Sequence, residues 1–242
     1  MRTPAGMLID LDDTLLCFDG VSRESWVEAC TILDHPAVAT GVLVDEIWAY
    51  SHWYYSDPDR HREGRNRLEE TRRMVVREAF GKLGIDDPKI AADIADRYSR
   101  IRDEKLFLFP RVHETLDELR SRGIPLCLVT NGESHLQRRK IERFGLEPHF
   151  DGVLIEGECG YGKPDERIFR DALEVIKAPA EAAWIVGDNL EWEVIAPKRL
   201  GFTCVWRDKR GTGLPEGLPV TPDAIIDQFS EVSDLIESSV LA

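Results

Sequence analysis

Gly6-Met7-Leu8-Ile9-Asp10-Leu11-Asp12-Asp13-Thr14-Leu15 is an apolar run that stops at two carboxylates spaced two residues apart, with a threonine just beyond. A short, continuously apolar run predicts a strand buried on both faces, as in parallel sheets. Open α/β sheets bind ligands outside the carboxyl ends of their strands, so Asp10 and Asp12 stand where chemistry is expected. Alternation turns both side chains to one face if the strand continues. Two such acids repel each other unless a cation settles between them, and a hard divalent ion with oxygen ligands, usually Mg²⁺, fits. Taken alone, the same residues also describe a strand end followed by a solvated acidic turn.

Three further segments decide between these readings. Ile124-Pro125-Leu126-Cys127-Leu128-Val129-Thr130-Asn131-Gly132 is another apolar run, ending in a hydroxyl, an amide and a glycine. Ser134 to Phe144 follows with Leu136, Ile141 and Phe144 at helical spacing and Gly145 as a stop. The N-terminus of that helix would face the polar mouth of the strand, where free N–H groups favour an anion such as phosphate. In Gly160-Tyr161-Gly162-Lys163-Pro164-Asp165 a lysine lies between a glycine and a proline that opens a helix through Ile168, Phe169, Ala172, Leu173 and Ile176. Rigid flanks hold one ammonium in place. Ala183-Trp184-Ile185-Val186-Gly187-Asp188 is again an apolar strand ending in an acid, followed by Asn189-Leu190-Glu191-Trp192-Glu193, so a third carboxylate joins the first two.

In this order the four pieces resemble the haloacid dehalogenase superfamily, whose motifs are a DxDxT strand end, a strand ending in Thr or Ser, a lysine, and a GD followed by a second acid. Each string alone is common; the ordered set, each member behind its own apolar strand, spans nearly the whole chain. The resemblance implies an α/β fold, a Rossmann-like three-layer sandwich with a parallel sheet of order 5-4-1-2-3 and an inserted α-helical cap domain. The first strand is then central, with the second and fourth beside it, and Asp10, Thr130 and Asp188 converge.

The resemblance also implies a Mg²⁺-dependent phosphatase. Asp10 would be the nucleophile that forms an aspartyl-phosphate, and Asp12 the general acid and base. Thr130, with Asn131 and Gly132, would bind the phosphoryl group, and Lys163 would neutralise charge on it and on Asp10. Mg²⁺ would be held by the Asp10 carboxylate, the Asp12 carbonyl and the Asp188 carboxylate. Glu193 replaces the more common Asp as second acid of the last motif and is expected to hold Lys163 or a metal-bound water. Pro197 interrupts the helix expected after this motif and would break it or force its start later.

Magnitude explains the convergence of charge. Phosphate monoester hydrolysis can require acceleration of up to about 10²¹-fold, roughly 28 kcal/mol, which no single group supplies. Asp12 also bears on reaction type, because a leaving alkoxide needs a proton and a halide does not. Phosphate transfer is therefore expected ahead of the alternatives, a phosphomutase of the β-phosphoglucomutase type or a 2-haloacid dehalogenase. Within phosphatases the pattern most resembles the pyrimidine nucleotidases and N-acylneuraminate phosphatases. The expected partner is a small phosphorylated metabolite, a sugar acid phosphate or a nucleoside monophosphate.

Between Leu16 and about Phe109 strand-like runs give way to Arg, Glu, Trp and Tyr at helical spacing. The expected domains are a core of residues 1–16 and 110–242 and a helical cap of 17–109, hinged near Leu16-Cys17-Phe18 and Leu108-Phe109-Pro110. Helices are expected over Ser22–Leu33, Val42–Ser56, Glu63–Leu83 and Asp87–Leu106, with Asp57-Pro58 as one of the breaks. Trp48, His52, Trp53, Tyr54 and Tyr55 could offer a stacking surface for a base or sugar, and Arg60, His61, Arg62, Arg65 and Arg72 a grip for an anionic substrate. The preferred reading is that Trp48, His52 and Tyr55 share a packing face and that most of these arginines interleave with glutamates as on a solvated, ion-paired face.

Composition agrees at a coarser level. With 242 residues, 43% of them hydrophobic, the chain can bury one good core and a smaller satellite. A net charge of −14 disfavours nucleic acid polymers and anionic membrane surfaces. Cys17, Cys30, Cys127, Cys159 and Cys204 are odd in number and lack CxxC spacing, which argues against zinc and against a disulfide framework. The apolar runs are too short to span a membrane, and Met1 to Leu16 lacks a cleavage-like site, so no signal peptide is expected. The reducing cytoplasm is the expected compartment, and a monomer or homodimer the expected state.

Overall fold

The apolar runs become strands. The computed structural model describes residues 2–240, and its strands are β1 (Gly6–Ile9), β2 (Leu16–Cys17), β3 (Phe107–Leu108), β4 (Leu126–Thr130), β5 (Gly152–Ile155), β6 (Ala183–Gly187), β7 (Thr203–Arg207) and β8 (Ala224–Ile226). Six of them form one sheet, ordered β5-β4-β1-β6-β7-β8, and every pairing in it is parallel. Every residue of β1, β4 and β6 is buried, as strands covered on both faces require. The expected order of five is extended by β8, a sixth strand outside β7.

The helices are α1 (Ser22–Leu33), α2 (Thr40–Tyr55), α3 (Pro58–Arg65), α4 (Leu68–Lys82), α5 (Pro88–Lys105), α6 (Val112–Ser121), α7 (Ser134–Arg143), α8 (Glu156–Cys159), α9 (Glu166–Ile176), α10 (Ala196–Leu200) and α11 (Glu231–Val240). The chain divides into two units: residues 1–17 with 107–242, and residues 18–106. In the first, Leu8, Cys127, Val129 and Ile185 of the sheet pack with Ile168, Phe169, Ala172 and Ile176, the apolar stripe of α9. Burial of each such aliphatic side chain contributes about 1.5–3 kcal/mol. β2 and β3 pair antiparallel, Leu16 opposite Leu108, so a short ribbon lies where the chain leaves and re-enters this unit.

The second unit is helical. Trp26, Ile47, Val76, Phe80, Ile94 and Tyr98 meet in one cluster, with the Trp26 and Tyr98 rings stacked 3.5 Å apart. The expected helix over Glu63–Leu83 is instead two, α3 and α4. Asp57-Pro58, read as a break, begins α3: the Asp57 carboxylate accepts the Arg60 N–H at 2.9 Å and Pro58 occupies the first turn, where its missing N–H costs nothing. On α2 the buried positions are Leu43, Val44, Ile47 and Tyr54, whereas His52 is exposed, because the inward stripe begins one residue away from the face chosen by Trp48. Arg72, expected on a solvated face, is buried. Among the described residues no helix is long and apolar enough to cross a membrane.

Candidate active site

Register aligns the strand ends. Ile9 lies opposite Leu128 of β4 and Val186 of β6, and the Asp10 N–H still donates to the Val186 carbonyl at 3.0 Å. Asp10, Thr130 and Asp188 therefore emerge together at the carboxyl edge. β1 is also where the strand order reverses, the switch point at which open α/β sheets form their crevice.

Asp10 is held on both oxygens. Thr14, one turn further along the chain, donates to Oδ2 at 2.9 Å, and the Lys163 ammonium donates to Oδ1 at 2.6 Å. Lys163 also pairs with Glu193 Oε1 at 2.6 Å, and both side chains are almost wholly buried. Burial would pull the lysine down, but the Asp10 and Glu193 carboxylates outweigh it and raise it above its ordinary value. Burial, opposed by Lys163 and reinforced by Asp10 and Asp188, raises Glu193 as well.

Local backbone explains how these groups reach one another. The side chain of Asn131 brackets Lys163, accepting its N–H at 2.8 Å and donating to its carbonyl at 2.7 Å. Gly162 has no room for a side chain, since a Cβ there would lie 2.4 Å from Asn131 Oδ1. The Lys163–Pro164 peptide is cis, and α9 opens later than Pro164, with Asp165 accepting the Arg167 N–H at 3.0 Å as its cap. Glu193 sits in a π-helical turn, Leu190–Ile195, and accepts the Asn189 N–H at 2.9 Å. Pro197 falls in the first turn of the short α10 that follows, so it starts a helix there rather than breaking one.

Asp12 faces a second lysine. Lys140 Nζ lies 2.8 Å from each Asp12 oxygen, and Gln137 Nε2 donates to Asp12 Oδ2 at 2.9 Å. The Thr130 hydroxyl and the Asn131 carbonyl lie within hydrogen-bond distance of the same amide, whose two hydrogens are shared among the three acceptors, tying the ends of β1 and β4 together. Glu156 accepts the Gly132 N–H at 2.9 Å. Of the residues expected to cradle a phosphate, Asn131 therefore spends its side chain on Lys163 and Gly132 its N–H on Glu156.

At the β6 end, Lys209 Nζ bridges Asp188 Oδ2 at 2.9 Å and Asp13 Oδ2 at 2.8 Å. Burial, opposed by Lys209 and reinforced by Asp10 and Asp13, raises Asp188 to about 7. An acid so placed gains from an added cation. The Asp10 and Asp188 carboxylates with the Asp12 carbonyl offer hard oxygen donors of the type Mg²⁺ takes, and Mg²⁺ ordinarily keeps several waters. Among the described residues no three His, Cys, Asp or Glu side chains form a cage by themselves, so carbonyl and water ligands would be required.

Sequence reasoning missed Gln137, Lys140, Glu156 and Lys209 at this site. A signal existed for two of them: the inward stripe of α7 reads Leu136, Gln137, Lys140, Ile141, so a buried amide and a buried ammonium interrupt an apolar face. Lys209, beyond β7, carries no such mark.

A family model described as haloacid dehalogenase-like hydrolase matches residues 5–201. The chain is 40% identical over 162 residues to phosphoserine phosphatase of Thermus thermophilus, a match that covers 66% of this chain and 63% of that protein, just under two thirds of its length. It is 26% identical over 245 residues to N-acylneuraminate-9-phosphatase of Rattus norvegicus, covering 96% of this chain and 93% of that one. Among solved structures, the HAD-hydrolase YfnB of Bacillus subtilis, in a crystal form bound to magnesium, superposes with a TM-score of 0.74 at 20% identity, covering 98% and 99% of the two chains.

Proposed function

This chain belongs to the haloacid dehalogenase-like hydrolases, and we propose that it hydrolyses a small metabolite phosphate monoester through an aspartyl-phosphate on Asp10. The observation that carries the reading is the Asp10–Lys163–Glu193 array, in which a buried ammonium backs a carboxylate at the mouth of the sheet. Relatives named as phosphatases favour phosphate transfer over halide displacement.

In this reading Asp10 attacks phosphorus, with Thr14 and Lys163 fixing its carboxylate so that little orientation is lost at the moment of reaction. Asp12 gives a proton to the leaving alkoxide and then takes one from the water that cleaves the acyl phosphate. Lys140 and Gln137 hold that carboxylate in one orientation for both halves. The Thr130 hydroxyl accepts from Gln137, which leaves its own proton for a phosphoryl oxygen. Lys163 neutralises charge on the phosphoryl group and Asp10, and Glu193 positions Lys163. Mg²⁺, taken up by Asp10, the Asp12 carbonyl and Asp188, would supply further charge for the phosphoryl oxygens. The helical unit, 18–106, serves as a substrate-selecting cap, and the enzyme works in the cytoplasm as a monomer or homodimer.

The test is phosphate release from p-nitrophenyl phosphate and a panel of metabolite phosphates, with and without Mg²⁺, by the native protein and by Asp10→Asn. Release that needs the metal and vanishes in the variant supports the reading. No release from any member would overturn it.

A further inference from the structure

Two arginines of the helical unit are buried without an ion-pair partner. Arg72 of α4 and Arg102 of α5 are 7% and 4% exposed. Neither pairs with a carboxylate among the described residues: Arg72 Nη1 donates to Ser99 Oγ at 2.9 Å, and Arg102 Nη2 to the Phe18 carbonyl at 3.2 Å. The Arg102 Nε is buried with no acceptor at all. On the same two helices Arg73 of α4, by contrast, grips Asp96 of α5 at 2.6 Å and 2.9 Å.

The two guanidinium groups also feel each other. Burial, reinforced by the neighbouring Arg102 and opposed by Tyr98, Tyr55 and Glu69, lowers Arg72 to about 10. What surrounds them is aromatic. The Arg102 guanidinium lies 3.3 Å from the Phe18 ring centroid and that of Arg72 lies 5.1 Å from the Tyr98 centroid. Tyr55 is close enough that both arginines act on its hydroxyl, although burial dominates there and raises it to about 12. Ring faces attract cations but carry no net charge, so they replace lost water without neutralising two like charges. Two desolvated cations with one idle donor form a site complementary to an anion, and the planar guanidinium fork matches a carboxylate in geometry.

We propose that Arg72 and Arg102, walled by Phe18, Tyr55 and Tyr98, form an oxyanion-binding site in the helical unit whose ligand is the carboxylate of a small metabolite. A free acid and the acid group of a phosphorylated substrate both supply that chemistry. The inference does not rest on the reaction assigned to the other unit.

The full chain is melted in sodium malonate and in sodium chloride of equal ionic strength. Malonate is expected to raise the melting temperature specifically, an effect lost in Arg102→Gln and weakened in Arg72→Lys, which keeps the charge but not the fork. Circular dichroism checks that each variant is folded, and Arg72→Lys keeps the proposal testable if Arg102→Gln is not. The source is distinguished with Asp10→Asn protein titrated with 3-phosphoglycerate and glycerol 3-phosphate, which differ by one carboxylate. About 10-fold tighter binding of the acid, abolished by Arg102→Gln, assigns the carboxylate to the substrate. Equal binding alongside an arginine-dependent malonate effect assigns it to a free acid. Binding of neither ester, with that malonate effect intact, supports this site and counts against the phosphatase reading alone. No malonate effect together with equal ester affinities overturns the proposal, as does a malonate effect that survives both substitutions.

Discussion

Lys163 and Glu193 form an ion pair of 2.6 Å with 1% and 0% of their side chains exposed, and Asp10 draws on the same ammonium. Removing one member leaves an uncompensated buried charge. Lys163→Met is therefore expected to cost about 3–5 kcal/mol by denaturant unfolding. It should also lower turnover of p-nitrophenyl phosphate by at least about 10³-fold, since it removes charge aimed at the reacting group. Native stability in the variant would refute the assignment of this pair as a buried, coupled one.

Gly187 makes room for Glu193. A Cβ at 187 would lie 2.1 Å from the Glu193 Cγ, so Gly187→Ala is expected to displace the glutamate and cost about 1–3 kcal/mol. The double variant Gly187→Ala, Glu193→Asp, with a shorter acid, should recover part of both stability and turnover. A double-mutant cycle with no coupling would show that the two positions do not share this space.

Lys140 and Gln137 touch Asp12 rather than Asp10. Lys140→Met is expected to reduce kcat about 10–100-fold with little change in KM, because it disturbs a group used in the transition state rather than one that holds substrate. An effect confined to KM would place Lys140 in substrate binding instead.

Three thiols set an alkaline limit. Burial pushes Cys30, Cys127 and Cys204 up to about 12. Their folded values lie above the unfolded value of about 8.5, so the native state keeps protons that the unfolded chain releases. The stability they confer is complete below about pH 8.5 and falls, by about 1.4 kcal/mol per thiol for each pH unit, as pH rises toward 12. Melting curves between pH 8 and 11 should show this decline, and replacing the three with alanine should flatten it.

Much of the site was legible because its residues follow apolar runs. Asp10, Thr130 and Asp188 each stand just past or at the end of a strand whose burial is written in continuous hydrophobicity, and the parallel register then brings them together. The helical unit was less legible. Asp57-Pro58 separates two helices as expected, α2 ending at Tyr55, but it also caps and opens α3, a helix that the charge pattern had merged into the next one. Arg72 looked solvated because charge alternates along α4, yet the stripe Thr71, Arg72, Val75, Val76, Ala79 is the one turned inward.

Periodicity, strand-end chemistry and motif order are local properties, so the amino-acid sequence by itself determined the parallel sheet, the inserted helical segment and the acids and lysine at the sheet's mouth. Tertiary structure alone decided which cations serve those acids. Lys140 reaches Asp12 across 128 residues and Lys209 reaches Asp13 across 196, and long flexible cations read as surface residues until packing removes their water. It also decided that Arg72 and Arg102 would meet without an acid in ion-pair contact, because which charges come into contact is a property of space and not of spacing.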